Sequence, residues 1–227
     1  MTAEAGQRFG TGPLARAAAL VHTLLVVEVL LLVGTLPGLL PLVLLGHDAS
    51  NLPLLAACLV PAGPALAAAL FTLRHQRLDL TELRPAALFR RGYRVNLLPV
   101  LRIWVPMLVW LAVIGVNLAN LRAAGVPSWW AVLLVIVALA VTLVGANALL
   151  VTALFRFRAR DVLRLAGYFL TRTPSVPVGT LVLLAAAAGI TAVFSEAVLV
   201  LLGAPFVLAF LRIGEPMIDK IQKEFTT

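Results

Sequence analysis

Ten acidic residues, three histidines and one cysteine are all that 227 positions offer as side-chain metal ligands of the usual kinds, and only two lysines and two tyrosines join them for acid–base chemistry. A single cysteine, Cys58, excludes an intramolecular disulfide and a thiolate metal cluster. It sits in an apolar run and does not report a redox compartment. His22, His47 and His75 are scattered, and His47 beside Asp48 makes only a lone pair in a loop. A zinc site needs three or four ligands, so no metal and no cofactor are expected. Neither a Walker A loop nor a Rossmann glycine pattern occurs, and no serine, histidine and carboxylate set converges on one membrane face. These gaps argue against an ATPase, a dehydrogenase or an intramembrane serine hydrolase, and the chain reads as non-enzymatic.

Charge is also scarce. Only 12% of residues are charged and 62% are hydrophobic, with a mean hydropathy of +1.04. A soluble domain carries about 25% charged residues, so this is a membrane protein. The net charge of +8 would suggest nucleic acid in a soluble chain. Here the basic residues punctuate apolar runs long enough to cross a bilayer, and no nucleic-acid partner is expected. The start, "MTAEAGQRFGTGPLARAAAL", carries Arg8 and Arg16. The apolar run behind it is too long for a signal peptide and lacks a convincing cleavage site, so the segment is expected to be retained.

A hydrocarbon core needs about 20 apolar residues of helix, because backbone groups cannot stay unpaired in lipid. The first such run covers 16–45 and contains Pro37 and Pro41; the second covers 52–73, with "PAGP" at Pro61 to Pro64. Both are expected to kink. The third covers 96–120, and the fourth runs from Trp129 to Phe155, with Trp129 and Trp130 suited to an interface. The stretch from Val176 to Leu211 would make a helix of about 54 Å, too long for one span. "FSE" at Phe194 to Glu196 divides it in two. The expectation is an all-α integral membrane protein of about six transmembrane helices, five being possible, in one membrane domain over 1–227.

Lysine and arginine collect in cytoplasmic loops. One side of this topology receives Arg8 and Arg16, then Arg74 to Arg94, Arg156 to Arg172, and Arg212, Lys220 and Lys223. The other has Asp48, the single Arg122 and Glu196. Both termini are therefore expected on the cytoplasmic side of a bacterial membrane; arginine rather than lysine throughout suggests a GC-rich genome. The three arginines of "LFRRGYRVN", Leu88 to Asn96, are at the least topology determinants.

The two long basic loops also resemble each other. "ALFTLR", Ala69 to Arg74, is echoed by "ALFRFR", Ala153 to Arg158, and "LRPAALF", Leu83 to Phe89, by "LRLAGYF", Leu163 to Phe169. This suggests a parallel repeat of span, basic amphipathic helix, span, over about 52–120 and 129–196. In the second unit Val162, Leu165, Ala166 and Phe169 share a helical face opposite Arg160, Arg164 and Thr171. In the first, Ala86, Phe89, Tyr93 and Leu97 form a stripe beside Arg84, Arg91 and Arg94. The tail 215–227 is a third amphipathic candidate, opened by Pro216, with Ile218, Ile221 and Phe225 on one face and an Asp219–Lys223 pair. Candidate residues for binding a partner or lipid are Arg84, Arg90, Arg91, Arg94, Arg160 and Arg164.

Glu28 lies near the middle of the first span, where an isolated charge costs several kcal/mol. It is either a proton or cation site, with Arg102, Asn117, Asn147 or His22 as partners, or a neutral hydrogen-bonding strut between helices. Glu28, Arg102 and Asn147 are thus candidates for an intramembrane polar site, although Arg102 can snorkel to the headgroups. Trp104 and Trp110 read as interface and packing. "LPGLLP" and "PAGP" could be broken-helix substrate sites or plain packing features.

"GPLAR" (Gly12 to Arg16), "LPGLLPLVLLG" (Leu36 to Gly46), "PAGPALAAAL" (Pro61 to Leu70), "LFRRGYRVN" and "LGAPFVLAFL" (Leu202 to Leu211) together resemble the YesL-like family of bacterial membrane proteins of unassigned function. The resemblance covers nearly the whole chain and carries no catalytic residues. It implies an accessory role in carbohydrate uptake beside ABC importers. The chain departs from the family at Glu28, where an amide such as asparagine is more usual. Competing expectations are a stand-alone secondary transporter using Glu28 and a scaffold that binds anionic lipid through its arginines.

Overall fold

The computed structural model describes residues 12–46, 48–76, 83–121 and 123–225. Among these the regular elements are all helical: α1 (Pro13–Leu44), a 3-10 turn (Ala49–Asn51), α2 (Leu52–Cys58), α3 (Ala62–His75), α4 (Pro85–Asn120), α5 (Trp129–Leu154), α6 (Ala159–Arg172), α7 (Ser175–Val193), α8 (Glu196–Leu201) and α9 (Gly203–Phe225). Five stretches are long and apolar enough to cross a membrane: α1, the α2–α3 pair, α4, α5 and α7. Their outward faces carry Val29, Val33, Leu40, Val132 and Val182, each more than half exposed. A soluble protein does not display apolar surface on this scale, whereas a bilayer covers it.

The prolines act unequally. α1 passes Pro37 and Pro41 as one helix, whereas "PAGP" does more than kink: α2 stops at Cys58 and α3 starts at Ala62. Pro61 has no N–H for the Ala57 carbonyl, so Val60 N–H bonds it instead at 3.1 Å and tightens the turn. The Leu59 carbonyl accepts from Ala62 N–H at 3.1 Å and from the Trp104 indole of α4 at 2.9 Å. Trp104 is thus a stitch across the break, and Trp104→Phe is expected to lower stability by about 1 kcal/mol, read as a fall in apparent Tm in detergent.

The divide at Phe194 to Glu196 lies where expected. α7 ends at Val193, and the Ser195 hydroxyl accepts from Val198 N–H at 3.4 Å to start α8. The return passage is not a single span: it breaks again at Leu202 before α9. The Lys220 ammonium donates to the Arg172 carbonyl at 3.2 Å, so α9 comes back to the end of the bundle where α6 finishes and α7 begins.

The two repeat units differ in build. α4 runs unbroken from Pro85 through Pro99 and Pro106, so the first basic stretch is the opening of a long helix rather than a separate amphipathic one. α6 does stand alone, because Thr173 before Pro174 leaves helical geometry (φ −131°, ψ 73°) and its hydroxyl turns back to the Phe169 carbonyl.

α3 sits at the centre and packs against α1, α4, α5 and α9. Its buried face is Gly63, Pro64, Ala65, Ala67 to Leu70 and Thr72, small enough for helix backbones to approach closely. The tightest approach is at Gly38 of α1, where a Cβ would overlap the Cys58 carbonyl of α2.

Candidate functional site

Three hydrogen bonds gather the basic segments at one end of the bundle. Asn96 of α4 is buried and donates to the Ala153 carbonyl near the end of α5 at 3.2 Å. Buried Asn147 of α5 donates to the Ala166 carbonyl of α6 at 3.3 Å. Lys220 ties α9 to Arg172. Gly92 of α4 meanwhile lets Phe71 of α3 pack on its backbone, which brings Arg74 alongside. Arg74, Arg84 to Arg94, Arg156 to Arg172 and Lys220 therefore share one end, as the loop charges suggested. Arg8 and Arg122, which also entered that reading, lie outside the described residues, as does His47 of the lone His47–Asp48 pair.

Arg84, Arg90, Arg91, Arg94, Arg160 and Arg164 are all exposed. None of the last five has an ion pair or side-chain hydrogen bond among the described residues; the ion pair found there is Arg212–Glu215, at 2.8 Å. Hence the tail pair Asp219–Lys223 does not form. The tail is also not a separate helix, since α9 continues through Pro216 and buries Met217, Ile218 and Ile221.

α6 follows its expected pattern: Val162, Ala166 and Phe169 are buried, Leu165 is half-buried, and Arg160, Arg164 and Thr171 face outward. The first-unit stripe is rotated. Phe89, Gly92 and Asn96 face the interior, whereas Ala86 is exposed. A period-3.6 count finds both faces equally well, and the packing of Phe71 on Gly92 decides between them.

Glu28 has a different partner from those expected. Its Oε2 accepts from the backbone N–H of Ala204 at 2.5 Å, and its Oε1 is buried without a hydrogen bond among the described residues. The carboxylate thus lies against the first turn of α9. Pro205 has no N–H, and Phe206 N–H bonds the Leu202 carbonyl at 3.0 Å; the Ala204 N–H, one of the first-turn donors without an acceptor in its own helix, takes Glu28 instead. Asn147 is engaged with α6 instead, Asn117 donates to Val113 of its own helix at 2.8 Å, and Arg102 and His22 are exposed. Glu28, Arg102 and Asn147 therefore do not form one polar site. "LGAP" at Leu202 to Pro205 was the overlooked signal, since proline within the first turn marks a helix start.

Trp104 is half-buried, stacked over Gly63 and bonded to Leu59; Trp110 is 61% exposed on the lipid side. In comparisons with family models, curated proteins and solved structures, the chain matches none.

Proposed function

We propose that this is a non-enzymatic, multi-pass protein of a bacterial cytoplasmic membrane, with both termini cytoplasmic, that acts as a docking subunit through its basic end. The resemblance to YesL-like proteins directs the choice of partner to the permease or ATPase of a carbohydrate ABC importer. The observation that carries the reading is the set of exposed arginines on α4 and α6 without carboxylate partners among the described residues. Cations arranged this way on a rigid helical platform are complementary to an acidic partner surface, and they speed encounter as well as fix register.

The test is purification of the tagged protein from its native host in mild detergent after light cross-linking, with mass spectrometry of what accompanies it. Importer subunits are expected with the wild type and reduced at least tenfold in Arg160→Ala/Arg164→Ala. Both side chains are exposed, so the double variant retains the fold. Recovery of a solitary protein, or equal recovery from the variant, would overturn the docking role.

A second reading rests on the unpartnered Oε1 of Glu28. A small secondary transporter would use such an intramembrane carboxylate to take up a proton or cation.

A further inference from the structure

An open groove of about 600 Å³ runs between α1 and the opening turns of α4. Leu30, Val33 and Gly34 of α1 form one wall; Arg90, Tyr93 and Arg94 of α4 lie on the other. Arg90 and Arg94 are one helical turn apart, so both guanidinium groups lie on the same face. Like charges at this spacing repel, and neither group has an ion pair among the described residues. Glu28, the acidic side chain nearest along α1, is engaged with Ala204 of α9 and does not line the groove. The groove is therefore apolar along one wall and doubly cationic on the other, and it lies between two helices long and apolar enough to cross a membrane, beside the basic end of the bundle.

We propose that this groove holds one anionic phospholipid. The phosphate lies between Arg90 and Arg94, whose planar guanidinium groups match its oxygens with paired N–H donors. The Tyr93 hydroxyl is available to donate to a glycerol or phosphate oxygen. One acyl chain lies along Leu30 and Val33, against the α1 wall of the groove. A free phosphate would satisfy the arginines but make no use of the apolar wall, and a zwitterionic lipid would carry its own cation to the same site. The proposal does not rest on the docking role, because its test uses the purified protein alone.

The full-length protein, purified in mild detergent with equal amounts of phosphatidylglycerol and phosphatidylcholine, is examined by native mass spectrometry. One phosphatidylglycerol per chain is expected, retained at least tenfold over phosphatidylcholine and not displaced by inorganic phosphate. Arg90→Gln/Arg94→Gln loses it. Val33→Trp also loses it without changing charge, at a position exposed enough to accept the bulk. Arg156→Gln/Arg158→Gln removes two exposed charges from the same end and keeps it. Equal retention of phosphatidylcholine, or equal loss in the Arg156/Arg158 variant, would show only diffuse charge attraction and overturn the site. Retention in Val33→Trp, or displacement by phosphate, would show a headgroup-only anion site and overturn the lipid.

Discussion

Gly38→Leu is expected to destabilise the bundle by about 3 kcal/mol, the upper part of the range for overpacked sites. The atom in the way is the Cys58 carbonyl oxygen, and backbone cannot rotate aside as a flexible side chain can. α1 would have to move away from the α2–α3 break, taking Val27 and Leu31 from the core. One turn earlier, Gly34→Ala meets only the Ala65 Cβ at 3.2 Å, which small shifts can relieve. Apparent Tm in mild detergent, with size-exclusion profiles, separates the two. A Gly38→Leu protein that melts within a degree or two of Gly34→Ala would show that the helices part there without cost.

Glu28→Leu and Glu28→Gln should differ sharply. Leucine removes the acceptor from the Ala204 N–H and leaves it unsatisfied at the start of α9, at a cost of about 1–3 kcal/mol, with a further loss of the favourable carboxylate at a helix N-terminus. Glutamine keeps a carbonyl acceptor in reach and should retain most of the stability. Hydrogen exchange at Ala204 and Phe206 reads this directly: much faster in the leucine variant, near wild type in the glutamine one. The same pair divides the two functional readings. If Glu28→Gln is folded yet abolishes proton-coupled flux in liposomes, the carboxylate titrates during transport and the transporter reading prevails. If importer subunits are still recovered with Glu28→Gln and no flux occurs in either protein, Glu28 is a strut that fixes the broken return helix.

The fold was legible where its causes are local. α5 begins at Trp129 and ends one residue from the predicted boundary, since hydropathy alone sets the limits of a lipid-facing helix. The α6 face was readable because an amphipathic helix at an interface has one apolar stripe and one basic face. The opening of α4 was read as a separate amphipathic helix because its arginines set it apart from the apolar run that begins at 96, whereas one continuous helix carries both. Neighbouring helices let membrane helices carry prolines, so α1 passes Pro37 and Pro41 while "PAGP" breaks, with Trp104 there to bond the exposed Leu59 carbonyl.

By itself the sequence determined a helical membrane protein, its apolar stretches, the divide at Phe194 to Glu196 and the collection of arginines in alternate loops. Each follows from a property of consecutive residues: the length of an apolar run, a missing N–H, a local charge. The tertiary structure decided which groups meet. Glu28 and Ala204 are 176 residues apart, Asn96 and Ala153 57 apart, and Trp104 and Leu59 45 apart. In an apolar surrounding every polar group must find a partner, but any of several amides or carbonyls would satisfy it. Close approach at small residues such as Gly38, Gly92 and Ala65 selects among those partners, and that choice is a property of the packed helices rather than of any one stretch of chain.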